Sequence, residues 1–172
     1  MRTKYIKLVP LLAAVIMLAA GCARPPFPSQ VTDRVDKKIS FSDLHKDPGS
    51  YKGKWVMFAG VIVGSRTEKD GRTYLEVVQK PADNEGRPFQ TDDSGGRFLA
   101  VSKEFLDPAV YGGGRVISVV GEVSGDSIRP LGGTVYRYPL LAVKALHLWE
   151  PSYGEPRSHV SVGVGVGIFH RY

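Results

Sequence analysis

Four histidines are the first side chains whose chemistry could support metal binding or acid–base catalysis. They are His45, His147, His159 and His170, and none stands at the spacing of a metal-binding motif such as H-E-x-x-H. His147 alternates with a leucine on either side, which predicts that its ring lies on the opposite face of a strand from both. We therefore interpret His147 as a structural histidine and predict no metal site built on histidine.

A second candidate for chemistry is a cluster of carboxylates, at Asp83, Glu85, Asp92 and Asp93. Hard cations such as calcium bind several oxygen ligands, but this spacing matches no calcium-binding loop. The carboxylates lie in a polar stretch rich in proline, glycine and aspartate, residues 81–96, which predicts a solvated loop. The glycine-rich run "YGGGR" lacks the phosphate-loop pattern and precedes a strand, so no bound cofactor is predicted.

No activated nucleophile is evident. The sequence has no G-x-S-x-G elbow, and Cys22 is its single cysteine. We predict that the protein is not an enzyme and has no catalytic residues. An envelope hydrolase with an unrecognised site remains the alternative.

The N-terminal residues 1–21 have the pattern of a secretory signal peptide. Arg2, Lys4 and Lys7 form a basic head, and Leu8 to Ala20 is apolar throughout. That run of about 13 residues is shorter than the roughly 20 that a membrane-spanning helix needs. A single cysteine in an exported protein cannot form an internal disulfide, so Cys22 needs another role.

The end of this segment, "LAAGC", resembles the lipobox of bacterial lipoproteins. The resemblance implies cleavage before Cys22, an S-linked diacylglycerol on its thiol and an acyl chain on its new amine. Ala19 stands where leucine is usual in that motif, and Leu18 lies one place earlier. The residue after the cysteine is Ala23 and not aspartate, which in Gram-negative lipoproteins implies transfer to the outer membrane. Several acyl chains on one residue hold a protein stably in a bilayer.

Residues 22–38 are predicted to form the lipidated cysteine and a proline-rich tether. The signal segment holds three of the 23 basic residues and none of the 17 acidic ones, so the formal charge of the mature chain is +3. A charge this small does not point to nucleic acid. Lysines and arginines that follow the anchor could lie on anionic lipid headgroups or form a solvated face, and both interpretations remain open.

Residues 39–150 are predicted to form a mainly β domain, a small five-stranded barrel of the OB-fold type. A helix that begins near Ser40 or Ser42 and ends at Pro48 precedes the strands. An Asp-Gly hairpin turn joins the first two strands, and a short helix over residues 103–114 separates the third from the fourth. A β-sandwich is the alternative, but the sequence shows fewer strands than that fold needs. The predicted strands are Trp55–Gly64, Thr73–Lys80, Arg97–Ser102, Arg115–Gly125 and Tyr138–Trp149, with Pro139 at the start of the last.

Several segments behind the lipobox together resemble the Slp family of outer-membrane lipoproteins. They are "YKGKWVMFAGVIVG", "GGRFLAV", "FLDPAVYGGGRVISVVGEVSG" and "YRYPLLAVKALHLW". The resemblance implies an outer-membrane lipoprotein associated with starvation and stationary phase. It brings no established catalytic residues.

Residues 151–172 form a tail in which valine or isoleucine alternates with glycine or serine from Val160 to Ile168. The alternation predicts an extra strand that pairs with the barrel or with a partner protein, and disorder is the alternative. Three functions therefore stay open: an anchored binding or structural module, an adaptor that docks through the tail, and the hydrolase. We predict that most aromatic residues lie in the core and at the rim of the barrel. If some of them line a groove, a glycan, a lipid headgroup or a peptide would be a better ligand than nucleic acid.

Overall fold

Five strands form a closed barrel in the computed structural model, which describes residues 25–150. Cys22, the signal segment and the tail 151–172 lie outside the described residues. The strands are β1 (Trp55–Thr67), β2 (Thr73–Lys80), β3 (Arg97–Ser102), β4 (Val116–Leu131) and β5 (Thr134–Leu148). They close in the order β1-β2-β3-β5-β4, and only the β3–β5 pair is parallel. The predicted OB-type barrel is confirmed.

The barrel core follows from alternation along the strands. In β2 every second residue from Thr73 to Val77 is buried, and those between face outwards. The inward side chains are joined by two aromatic rings, Phe58 and Phe98, whose centroids lie 6.4 Å apart. Apolar residues of all five strands therefore share one core.

At two positions in the barrel wall the neighbouring strand lies so close that only glycine fits. A Cβ atom on Gly60 would overlap the carbonyl oxygen of Val78 on β2. A Cβ atom on Gly121 would lie 2.9 Å from the Cβ of Leu141, and the β4–β5 register shifts at that glycine. A side chain at either position would therefore force the neighbouring strands apart.

The β4–β5 hairpin is much longer than the sequence predicts. Strand β4 continues beyond Gly125 to Leu131, and β5 begins at Thr134, so the predicted start at Pro139 is wrong. Gly132 and Gly133 both have positive φ, as a tight two-residue hairpin turn requires. Pro130 and Pro139 are tolerated in this hairpin because β4 and β5 extend there beyond the barrel. Each of the two strands then has one edge that pairs with no further strand.

Two short helices and a 3₁₀ turn precede β1: α1 (Ser29–Thr32), α2 (Phe41–Lys46) and Pro48–Tyr51. Ser40 caps α2, because its Oγ accepts the Asp43 backbone N–H at 3.1 Å, as the sequence predicts. Phe41 of α2 packs edge-on against Phe58 in the core. The helix before β1 therefore covers one end of the barrel.

The short helix predicted between β3 and β4 is absent. Residues 103–114 form turns, and only one turn of helix type occurs, where Val110 and Tyr111 donate backbone N–H groups to the Asp107 carbonyl. The glycine run that follows ends it before a second turn can form. Leu106 and Tyr111 pack against the core from this segment.

The segment predicted as a tether lies against the barrel from Phe27 onwards. Phe27 is only 4% exposed and meets the His147 ring edge-on at 6.2 Å. Farther along, Val35 pairs with Trp55 at the start of β1, and Arg34 stacks on the Trp55 ring at 3.7 Å. Proline-rich composition predicts extended backbone but not the burial of one phenylalanine within it. We call residues 27–39 the strap.

The long loop 81–96 also covers the outside of the barrel. The Gly86 carbonyl accepts a hydrogen bond from the buried Ser118 hydroxyl of β4, and that hydroxyl accepts one from the Trp149 indole at 2.7 Å. Gly86 lies against Met57 of β1 with φ near +86°. The loop and the strap thus share the outer face of β1, β4 and β5.

Candidate functional site

Two hairpins converge over β2 and surround Tyr74 with arginines. Arg66 and Arg72 come from the β1–β2 hairpin, and Arg129 comes from the β4–β5 hairpin. Their guanidinium carbons lie 5.7, 5.8 and 5.4 Å from the centre of the Tyr74 ring. A guanidinium in stacking contact lies closer, as Arg34 does on Trp55 at 3.7 Å. The guanidinium groups therefore border the ring without stacking on it, and open space remains beside them.

That space is a cavity of about 150 Å³, which we call the arginine–tyrosine site. Tyr74, Arg66 and Arg129 line it, together with Ser65 and Glu76. The Ser65 hydroxyl is buried and has no hydrogen-bond partner among the described residues. A buried hydroxyl without a partner costs free energy.

Glu76 is held in place at the base of this site. One of its carboxylate oxygens accepts hydrogen bonds from Arg97 at 2.6 Å and from the Tyr138 hydroxyl at 3.1 Å. Burial and the Glu76 charge raise the pKa of Tyr138, and the hydrogen bond to Glu76 raises the pKa of Arg97. Both donors therefore stay protonated at neutral pH and leave the second carboxylate oxygen to accept from a ligand.

The three arginines differ in their partners. Arg66 pairs with Glu68 at 2.9 Å and Arg72 with Asp70 at 2.6 Å, and all four side chains are substantially exposed. The Arg72 hydrogen bond holds the pKa of Asp70 below its usual range. Arg129 makes a hydrogen bond to Ser127 but has no carboxylate within 4 Å in the part of the chain that the structure describes. It is the arginine best placed to bind an anion.

The site thus combines a ring face, guanidinium donors, a hydroxyl and a carboxylate around one small cavity. These groups are complementary to a polar ligand with an apolar face and an acidic group. Among these residues no nucleophile stands beside a base.

The histidines considered from the sequence fall elsewhere. His147 lies on the outer face between Phe27 and Trp149, with its ring 4.4 Å from the indole, as a structural residue would. His45 lies between Phe41 and Tyr136, and its Nε2 has no partner among residues 25–150. His159 and His170 lie outside the described residues.

The acidic loop residues serve the loop itself. The Asp83 carboxylate accepts backbone N–H groups of Glu85 and Arg87 at 2.9 Å each, and Asp93 bonds with Thr91. Within residues 25–150 no group of three or more histidine, cysteine or acidic side chains is placed to hold a metal ion. Gly112 to Gly114 form the turn into β4, where Gly114 donates its N–H to the Ile62 carbonyl.

Sequence reasoning grouped Tyr74 with the general aromatic set and missed the arginines. The signal available was the outward alternation of Tyr74 and Glu76 on β2. Arg129 could not be found without the β4–β5 hairpin, since only that hairpin brings it to Tyr74 across 55 positions of sequence.

A sequence profile of the family described as "Outer membrane lipoprotein Slp family" matches residues 19–167. The chain belongs to the Slp family. The localisation predicted from the lipobox, the outer membrane, is that of this family, and so is association with the membrane. Among residues 25–150, no helix has both the length and the apolarity to span a membrane.

Two relatives come from Escherichia coli strain K12. The uncharacterised lipoprotein YeaY is 31% identical over 103 residues, which cover 60% of this chain and 52% of YeaY. Outer membrane protein Slp is 25% identical over 140 residues, which cover 81% of this chain and 73% of Slp. The chain thus matches about half the length of YeaY and nearly three quarters of Slp.

Among solved structures, the chain matches the small single-stranded DNA-binding protein from Streptomyces coelicolor. It aligns with 55% of this chain and 92% of its own length, at 16% sequence identity and a TM-score of 0.34.

Proposed function

We propose that this Slp-family lipoprotein is a non-catalytic binding module that holds an acidic saccharide of the cell envelope at the arginine–tyrosine site. The observation that carries the proposal is the convergence of Arg66, Arg72 and Arg129 on Tyr74 beside a cavity with an unpartnered hydroxyl. The lipid anchor on Cys22 keeps the module at the outer membrane.

The chemistry of the site favours a saccharide over other envelope ligands. A sugar ring offers an apolar C–H face to Tyr74 and hydroxyl groups to Ser65 and Glu76. An attached carboxylate or phosphate suits the Arg129 guanidinium. A purely apolar ligand would leave these polar groups desolvated without partners, which costs free energy.

Isothermal titration of the purified chain with two oligosaccharides tests the proposal. The probes are anionic muropeptides released from peptidoglycan and the phosphorylated core oligosaccharide of lipopolysaccharide, with neutral maltoheptaose as the comparison. We expect one acidic probe to bind and Arg129→Gln to weaken it about tenfold, the effect of losing one charge-assisted hydrogen bond.

Arg137→Gln is the matched control, because Arg137 lies on the same hairpin outside the cavity and pairs with Asp126. It should leave the affinity unchanged. The proposal is wrong if neither acidic probe binds, or if both arginine variants weaken binding equally.

The anchor and the physiological role are parts of the same proposal. Cleavage before Cys22 and its acylation predict a mature mass that exceeds the polypeptide by that of three acyl chains and glycerol, which mass spectrometry of the membrane fraction measures. A role under starvation predicts that cells lacking the protein lose viability in stationary phase. The Tyr74→Ala variant should fail to restore viability. If it restores viability fully, the stationary-phase role does not depend on the arginine–tyrosine site.

A further inference from the structure

A second cavity lies beside Lys80 at the end of β2, whereas the arginine–tyrosine site lies over Tyr74 near the start of that strand. Its volume is about 230 Å³, and it opens beside the long loop 81–96. The side chains that line it include Val61, Lys80, Arg87, Phe89, Val116 and Trp149. Two cations, two aromatic rings and two valines thus surround one opening.

The two aromatic rings of this cavity differ in their exposure and contacts. Phe89 is 53% exposed, which is unusual for a large apolar side chain beside charged residues. Trp149 is held by its hydrogen bond to Ser118 and carries the Arg87 guanidinium over its ring at 4.4 Å. Lys80 bonds to the Thr91 carbonyl at 2.9 Å, and the exposed Glu150 also lines the cavity.

The strap brings this face close to the lipid anchor. The buried Phe27 is the fifth residue after Cys22, so the extended chain between them spans at most about 18 Å. Phe27 touches His147, and His147 touches Trp149, with ring centroids 6.2 and 4.4 Å apart. The acylated cysteine is therefore tied to the side of the barrel that carries the second cavity.

We propose that this face docks on the bilayer that holds the anchor, with Phe89 and Trp149 at the headgroup boundary and an anionic phospholipid headgroup between Lys80 and Arg87. An exposed phenylalanine and a half-buried tryptophan beside two basic residues fit the composition of membrane-interface surfaces. Lys80 and Arg87 supply the charge that complements an anionic leaflet. The inference rests on the anchor at Cys22 and is independent of the saccharide site.

Fluorescence quenching in vesicles tests this docking. The full mature chain, carrying Trp55→Phe so that Trp149 is the one remaining tryptophan, is reconstituted in phosphatidylcholine vesicles with one fifth phosphatidylglycerol. Brominated acyl chains in these lipids should remove roughly a third of Trp149 emission, since an interfacial ring lies near the acyl boundary. Vesicles of phosphatidylcholine alone should quench less, and inorganic phosphate should not compete.

Two variants separate docking from anchoring. Phe89→Ser should restore most of the emission, whereas Phe105→Ser, which changes a ring 64% exposed on the turn after β3, should restore none. Flotation with the vesicles reports the anchor separately, and a chain that does not float contradicts the anchor on which the inference rests. A chain that floats without quenching overturns the docking proposal itself. Equal effects of the two phenylalanine variants would also overturn it.

Discussion

At the scale of single residues, the barrel depends most on positions where no side chain fits. Gly60→Ala would push a methyl group into the Val78 carbonyl, and the strands cannot separate there without losing hydrogen bonds. We expect a loss of about 2–3 kcal/mol in the free energy of unfolding and a fall of about 10 °C in Tm. Thermal unfolding followed by circular dichroism measures this.

Gly113→Ala is the control for that variant. Gly113 has no positive φ, and the nearest atom to a Cβ there is the Ile62 carbonyl oxygen at 4.0 Å. The substitution should leave Tm unchanged or raise it slightly through reduced freedom of the unfolded chain. If the two glycine variants lower Tm equally, close packing at Gly60 is not the reason for its glycine.

The Glu122–Lys144 pair should make stability depend on pH. The hydrogen bond from Lys144, at 2.8 Å, lowers the pKa of Glu122 below its ordinary value of 4.5. The pair therefore contributes stability above that ordinary value, and the contribution is lost as the pH falls through the lowered pKa. Wild type should exceed Glu122→Gln in Tm at pH 7, and the difference should disappear towards pH 3.

Glu104→Gln provides the comparison, because Glu104 makes no ion pair among the described residues. Its Tm should follow wild type at both pH values. A difference between wild type and Glu122→Gln that persists unchanged at pH 3 would show that the effect does not come from the charge of Glu122.

At the scale of elements, the strap is the part that the sequence described least well. Phe27→Ala should cost about 3 kcal/mol and free the chain before β1, because Phe27 is its buried ring. Limited proteolysis with trypsin should then cut at Arg34 or Lys37 faster than in wild type. Phe105→Ala, at an exposed position, should change neither stability nor cleavage, and faster cleavage there too would contradict a specific role for Phe27.

The elements also show what local pattern can and cannot predict. The bounds of β2 and β3 agree with the sequence prediction, since each is a short apolar run ended by polar or glycine-rich segments. The β4–β5 hairpin was missed because Pro130 and Pro139 weaken a strand pattern, and the free outer edge that tolerates them exists only in the folded barrel. The short helix of one or two turns predicted over residues 103–114 is reduced to a single capped turn, because the glycines that follow Tyr111 stop it.

At the scale of the whole molecule, the two cavities lie towards opposite ends of β2. The second cavity is lined by Lys80 at the end of this strand, and the arginine–tyrosine site by Tyr74 near its start. A domain of this size is about 35 Å across, roughly twice the reach of the chain from Cys22 to Phe27. An anchor at Cys22 would therefore hold the side of the barrel that carries Phe27 nearest the membrane.

The sequence predicted the location of the protein better than the site. The targeting signal lies in contiguous residues, from Arg2 to Cys22, whereas the site joins four separate segments only after the barrel closes. Residue spacing along the chain does not predict which segments meet when the barrel closes.

The most direct measurement is the map of amide chemical-shift changes in the ¹⁵N-labelled mature chain as the acidic oligosaccharide that binds it is added. Shifts should concentrate at residues 64–66, at residues 74–76 and around Arg129, which line one cavity from three segments. They should be absent from Arg129→Gln at the same ligand concentration. Shifts confined to the loop at residues 87–91, or no shifts at all with either acidic oligosaccharide, would contradict the assignment of this protein as a saccharide-binding module.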